Sequence, residues 1–319
     1  NYFFFFHFRY IAILIKKFMT SNQSHKAVVF GSISIDKIVN KHGAFPDTLG
    51  GSAAYALLAN KKNSCELVGV VGDDFHQKHF NLLSDHSLST DSLTKMPGNT
   101  FCWGGEYKND FSSRETLYVD PGVSESYIPK LSNLVKNSPF LLLGNTAPHL
   151  QIELLNQMQS TPFVLLDTFK LYIDIANKEL KDLVKRVDLF CINFNEAKAI
   201  SGMDGLDLKS MSRKILDLGP KSLIIKDGEN GSHYFDLKNH FSIKAFPIKE
   251  VIDTTGAGDA YIGGILMGKM SGMSIFESMK IGAVTASFCI EGVGVKGLLK
   301  MNDFEFENRL AWMNANHTS

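Results

Sequence analysis

From Ala27 onward the chain alternates short, uninterrupted apolar runs with amphipathic stretches. AVVFGSIS, ELVGVVG, FLLLG, PFVLLD, DLFCI and KSLIIK carry apolar side chains at consecutive positions, not alternate ones. Successive strand residues point to opposite faces, so a strand is apolar throughout only where both faces of its sheet are covered. Helical periodicity at Gln151–Gln159, Asp174–Arg186 and Lys209–Leu218 fills intervals between these runs. That rhythm predicts a three-layer α/β/α fold with a doubly wound, mainly parallel sheet. Asn99–Asp120 breaks the rhythm: it alternates, has no helical repeat, and offers turn residues at Gly104-Gly105 and Asn109-Asp110. It reads as an inserted β-meander, either a lid over a cleft or a surface hairpin without a role.

The N-terminal stretch NYFFFFHFRYIAILIKKF is apolar but interrupted by His7 and Arg9, short for a membrane span, and lacks the order of a secretory signal. Met19 reads as the natural start, which makes residues 1–18 upstream sequence or an extension, with a membrane anchor as the alternative. The expected organisation is an extension over 1–26, one domain over 27–310 and a tail over 311–319. Lysine plus arginine and aspartate plus glutamate both number 33. That balance gives no electrostatic footprint for nucleic acid or an anionic membrane surface. The four cysteines, Cys65, Cys102, Cys191 and Cys289, are scattered in apolar contexts, as reduced, buried thiols of a cytoplasmic protein would be.

The densest chemical signal is DTTGAGDAYIGG at 253–264. After Gly258 the pattern becomes helical, so Gly256, Ala257 and Gly258 fall where a helix begins. Unpaired backbone N–H groups and the positive end of the helix dipole make an anion site there, and the missing side chains allow close approach. Asp259 lies in the first turn. It either complements the dipole or, more sharply, takes the proton from a hydroxyl that attacks a phosphoryl group held by those amides. A P-loop is absent, and Tyr261 stands where a dinucleotide fingerprint needs its third glycine.

This stretch resembles the C-terminal signature of the ribokinase, or PfkB sugar-kinase, family. Further matches occur in the family's order over residues 27–300: GSISID at 31–36, LGGSAAYAL at 49–57, VGVVGDDF at 68–75, INFNEAK at 192–198 and IKDGENG at 225–231. The resemblance implies a ribokinase-like domain over 27–310 whose β lid is contributed by about 37–49 and 99–120. It implies an ATP-dependent kinase acting on a hydroxymethyl group of a sugar, with a nucleoside kinase as the alternative. A binding or regulatory protein that has lost catalysis is the alternative of another class. Asp259 would be the base and Gly256, Ala257 and Gly258 the anion hole; Asp36, Gly50 and Gly51 would bind substrate hydroxyls. Asn193 and Glu196 would organise Mg²⁺ through its waters, although the same pair also reads as a helix cap with a surface acid. Lys226, Gly228 and Gly231 would lie beside the nucleotide. Asp253, Thr255 and the carbonyls of Glu291–Gly297 would hold a monovalent cation such as K⁺. Family members sometimes pair through their lids, so the chain is expected to be a monomer or a lid-to-lid homodimer.

The chain departs from the family at Tyr55, where an asparagine commonly contacts the sugar, and at Asn145 and Thr146, where another acidic sugar contact is common. Tyr55 and Trp103 could cover a flatter substrate such as a nucleoside, or could simply pack. Arg114 on the meander is a candidate contact for an anionic substrate. His76 and His79 form H-x-x-H but have no supporting ligand cluster in the sequence.

Overall fold

The computed structural model describes residues 26–108, 111, 114–203, 205 and 207–317. The expectations for residues 1–18 and for a turn at Asn109-Asp110 lie outside them. In chain order the strands are β1 (Ala27–Phe30), β2 (Ser34–Asn40), β3 (Gly43–Gly50), β4 (Cys65–Val71), β5 (Leu93–Lys95), β6 (Cys102–Tyr107), β7 (Arg114–Asp120), β8 (Phe140–Leu143), β9 (Phe163–Leu166), β10 (Leu189–Asn193), β11 (Ser222–Lys226), β12 (Ser232–Phe235) and β13 (His240–Ile243). The helices are α1 (Ser52–Leu58), α2 (Gln77–His86), α3 (Pro148–Asn156), α4 (Lys170–Ile175), α5 (Asn177–Val184), α6 (Phe194–Ser201), α7 (Leu208–Leu216), α8 (Ala257–Met270), α9 (Ile275–Cys289), α10 (Lys296–Leu299) and α11 (Asp303–Asn316).

The apolar runs form one sheet in the order β13-β12-β11-β10-β9-β8-β1-β4-β5, in which β12 alone runs against the other strands. Both of its faces are covered. In β1, Ala27 and Val29 join the core packed by α1, α8 and α9, while Val28 and Phe30 join the core on the other face. Consecutive apolar residues are therefore required, because each strand supplies two cores. From β1 the chain winds one way to β4 and β5 and the other way to β8 through β11. Strand order thus reverses between β1 and β8, and ligands of open α/β sheets bind beyond the strand ends at such a reversal. There Ser32 N donates to Asn145 O at 3.2 Å and Ser52 Oγ to the same oxygen at 3.1 Å.

Some local expectations need correction. The helix expected over Asp174–Arg186 is two helices, α4 and α5, broken at Ala176 (φ −129°), where the Asn177 side chain takes the Ile173 carbonyl at 3.2 Å. Asparagine competes in this way with the helix's own hydrogen bonds. The boundary drawn at residue 310 falls inside α11, which buries both Leu310 and Met313. In the glycine-rich stretch at 253–264, Gly263 serves packing, since a Cβ there would meet Ala56 O of α1 at 2.8 Å.

The inserted meander is half of a second sheet, ordered β3-β2-β6-β7, with β2 and β6 parallel and the outer pairs antiparallel. Gly104-Gly105 is not a turn. Both residues lie inside β6 at a bulge, where the Tyr118 and Trp103 rings cover the bare backbone. Strand β2 alternates, with Ser34, Asp36, Ile38 and Asn40 buried and Lys37 exposed. Trp103, Tyr107 and Ile38 join Val293 in a small core between lid and body. Strand β7 is exposed along its length, and Cys102 is only partly buried, unlike the other three cysteines. Among the described residues, no helix is long and apolar enough to cross a membrane.

Candidate active site

The loop entering α8 is tied down at several points. Ile252 N donates to Ile290 O at 2.8 Å, and Asp253, wholly buried, accepts from Thr255 N at 2.9 Å and Gly294 N at 2.8 Å. Gly256 then turns the chain with φ +74°, a left-handed conformation that costs other residues free energy, and caps α8. A Cβ on Gly256 would fall on the Tyr55 ring. Gly258 lies under Lys226, whose Nζ is 3.0 Å from where its Cβ would stand. Asp259 occupies the first turn of α8 and is partly exposed.

Lys226, at the end of β11, donates to Asp167 Oδ2 at 2.9 Å with both side chains largely buried. Burial opposes the lysine's charge, yet Asp167, Cys191 and Glu196 hold its pKa above the ordinary value. Burial, reinforced by the Asp167 charge, pushes the Asp259 carboxyl up to about 7, against the pull of Lys226 and Arg114. The same two causes put Glu196 at about 7, and burial also raises Asp167. Three acids therefore share one ammonium, a surplus of negative charge that favours a cation beside them.

Asn193 and Glu196 form a capping box on α6: Asn193 Oδ1 accepts from Glu196 N at 2.9 Å and Glu196 Oε2 from Asn193 N at 2.8 Å. The cap reading of this pair is thus realised, while burial of Glu196 contradicts its reading as a surface acid. Among the described residues, no group of three or more His, Cys, Asp or Glu side chains is arranged to hold a metal directly, His76 and His79 included. Those two histidines face Asp47 at 3.7 and 3.4 Å. The donor set fits a magnesium ion held through water. Asp253 fits potassium less well, because Thr255 N, Thr255 Oγ1 and Gly294 N take three of about four carboxylate lone-pair sites.

On the lid side, burial raises Asp36 to about 7, with Asp253 and Asp259 adding and the Ser34 hydroxyl, 2.7 Å away, opposing. Gly50 faces that carboxylate, and Gly51 (φ +95°) starts α1. Tyr55 is 1 % exposed under Gly256, so its ring cannot stack on a substrate; its hydroxyl is buried and unpartnered among the described residues. Asn145 Oδ1 and Thr168 Oγ1 are orphaned in the same way. Trp103 is buried in the lid core, donating to Thr116 Oγ1 at 3.3 Å, which leaves little of it for a substrate. The Arg114 guanidinium lies over Trp103 at 5.1 Å and over Phe169 of the body at 5.6 Å. Gly228 and Gly231, both with positive φ, shape the tight turn after Lys226.

Sequence reasoning did not single out Asp167, Thr168 and Tyr107. Asp167 had a signal, since an acid directly ending the run PFVLL falls at the carboxyl end of a buried strand. Tyr107 had none, because its partner Thr255 is remote in sequence. A cavity of about 500 Å³, lined by Leu58 and Met267 among others, lies away from this chemistry at the far ends of α1 and α8, roughly 15 Å along α8 from Ala257.

A doubly wound sheet with a β lid, a glycine-capped helix start and a carboxyl in its first turn define a phosphotransferase-like class. Residues 24–300 match the model of the pfkB family carbohydrate kinases. The chain is 30 % identical over 269 residues to the cytidine kinase of Thermococcus kodakarensis, covering 80 % of this chain and 92 % of that one. It is 24 % identical to the ribokinase of Lactococcus lactis, covering 85 % and 93 %. The structure of Burkholderia thailandensis nucleoside kinase in complex with inosine superposes with TM-score 0.74 at 19 % identity, covering 91 % and 99 %. The chain belongs to the PfkB family of carbohydrate kinases.

Proposed function

We propose that the chain transfers the γ-phosphoryl group of ATP to a hydroxymethyl group of a sugar-like acceptor. The observation that carries this reading is Asp259: a partly exposed carboxyl, raised to about 7, in the first turn of a helix that starts at Gly256. Asp259 takes the hydroxyl proton as the oxygen forms its bond to phosphorus, and the bond from phosphorus to the ADP oxygen breaks. Gly256, Ala257 and Gly258 supply amides to the charge that develops on the phosphoryl oxygens. Glu196 and Asn193 would hold a magnesium ion through its waters; when bound, that ion neutralises phosphate charge. Lys226, with the turn at Gly228 and Gly231, faces the nucleotide. Asp36, Gly50 and Gly51 receive acceptor hydroxyls, and half-buried Asn145, whose side-chain oxygen is unpartnered among the described residues, takes a further one. The carbonyls of Glu291–Gly297, more than Asp253 and Thr255, are the donors left for potassium.

A second reading, a nucleoside acceptor, is favoured by the cytidine kinase relative and by Arg114 resting between Trp103 of the lid and Phe169 of the body. Exposed Leu117, Tyr118 and Val119 on edge strand β7 fit a homodimer through the lid, and the free cysteines fit a cytoplasmic setting. The test is ADP release from Mg-ATP with a panel of pentoses, hexoses, inositol and nucleosides. At least one acceptor should raise turnover far above hydrolysis by water. A flat panel across both groups would overturn the kinase reading, and the preferred group decides between the two acceptors.

A further inference from the structure

The lid touches the body at the loop that leads into the anion hole. Asn40 Nδ2 of β2 donates to Ile252 O at 3.1 Å, and the His42 ring lies 3.3 Å from Val251 O. One contact reaches deeper. The Tyr107 hydroxyl of β6 lies 2.8 Å from Thr255 Oγ1, which in turn lies 2.7 Å from Asp253 Oδ1. Thr255 has one hydroxyl proton and the carboxylate can only accept, so Thr255 donates to Asp253 and accepts from Tyr107. All three residues are buried, and the Tyr107 ring is fixed by Trp103 and Phe111, with centroids at 6.5 and 5.9 Å. Thr255 immediately precedes Gly256. The chain of bonds therefore runs from the lid to the turn that orients the first amides of α8, and Asp253 anchors it again through Gly294 N at 2.8 Å.

We propose that Tyr107 is a positioning residue whose hydroxyl ties the alignment of the α8 amides to the presence of the lid over the site. This role rests on the kinase reading above. Its chemical purpose is discrimination between acceptors: the amides are correctly aimed when the lid lies over a substrate hydroxyl, and less so when the site stands open to water. Lids and loops of enzymes commonly serve this exclusion.

The test is the ratio of phosphoryl transfer to the acceptor over ATP hydrolysis without it, measured for the parent, Tyr107→Phe, Thr255→Val, Thr255→Ser and the Tyr107→Phe/Thr255→Val pair. Tyr107→Phe keeps the ring and its packing and removes only the hydroxyl. The ratio should fall by about tenfold, with acceptor KM changing less than kcat, as the loss of about one hydrogen bond's worth of alignment implies. Thr255→Val should lower the ratio at least as far, the pair should be no worse than Thr255→Val alone, and Thr255→Ser should recover most of the loss. A parent that transfers normally beside a Tyr107→Phe variant with an unchanged ratio overturns the role of Tyr107 alone. Strictly additive losses in the pair do the same. A parent that transfers to no acceptor overturns the kinase reading and this role with it.

Discussion

Strands β8 and β7 have opposite surroundings. Leu141, Leu142 and Leu143 of β8 are wholly buried, whereas every residue of β7 from Arg114 to Asp120 is exposed. The body gains its rigidity from two cores that each strand serves at once, and the candidate chemistry sits on its strand and helix ends: Asp167 after β9, Lys226 on β11, Asp259 on α8. The lid has one covered face and meets the loop entering α8 through a small core and a few polar contacts, at Asn40, His42 and Tyr107. The candidate groups thus sit on elements held from two cores, whereas the lid is joined to the body by one small core and by polar contacts that include Asp47 with His76, Lys78 and His79. Substitutions near the body's candidate groups should therefore cost much more than substitutions on the outer face of the lid.

The sharpest way to break this contrast is at Gly256. Gly256→Val puts a β-branched residue at φ +74° and drives its Cβ into the Tyr55 ring. Backbone strain of about 1–3 kcal/mol adds to that clash, so the variant should lose both thermal stability and ATP binding. A variant with parental melting temperature and ATP affinity would show that the body is less rigid than described.

Lys226→Met should cost nearly as much. It strands Asp167, Glu196 and Asp259 without their cation, and removing one partner of a buried pair typically costs about 3–5 kcal/mol. The variant also sharpens the pH argument. The Asp259 carboxyl lies at about 7 in the fold against an ordinary 3.8, so the folded protein binds that proton more tightly than the unfolded chain does. Stability from this group is fully present below pH 4 and is lost as pH rises through about 7, while kcat/KM, which needs the ionised base, rises over the same range. In Lys226→Met the midpoint of that rise should move to higher pH, since the lysine charge no longer favours the carboxylate. A pH–rate profile with an unmoved midpoint would remove Lys226 from the electrostatics of the base.

The smallest effect belongs to the lid's outer face. Leu117 is 52 % and Val119 46 % exposed, and Val119→Lys should change stability by no more than about 0.5 kcal/mol. If two chains pair through this edge, sedimentation should show the variant dissociating at concentrations where the parent stays paired. A parent that is monomeric at every concentration removes the pairing.

The same contrast explains what could be read from the sequence. Runs such as FLLLG and KSLIIK announce buried parallel strands because covering both faces leaves no polar position. The lid's β6 was misread at Gly104-Gly105, because glycine marks a turn and a ring-covered bulge with the same letter. The stretch at 253–264 places Asp259 and its three neighbours at a helix start directly, since a helix start and its first turn are local in sequence. The sequence leaves Tyr55 between covering a flat substrate and packing, and the close approach of α1 to Gly256 decides for packing by burying its ring, a fact that no local pattern carries. Asp167 and Tyr107 are bonded to Lys226 and Thr255, partners that only the fold brings near.

The central claim is that the base and the anion hole are separable parts of one phosphotransfer site, and Asp259→Asn tests it most directly. The substitution keeps the size of the side chain and the helix start but cannot take a proton. Measured on the folded variant with the best acceptor, kcat should fall by roughly 10²–10⁴ while the Kd for ATP stays within about twofold of the parent. A variant that retains parental kcat would contradict the assignment of the base, and with it the reading of this glycine-rich turn as a site of phosphoryl transfer.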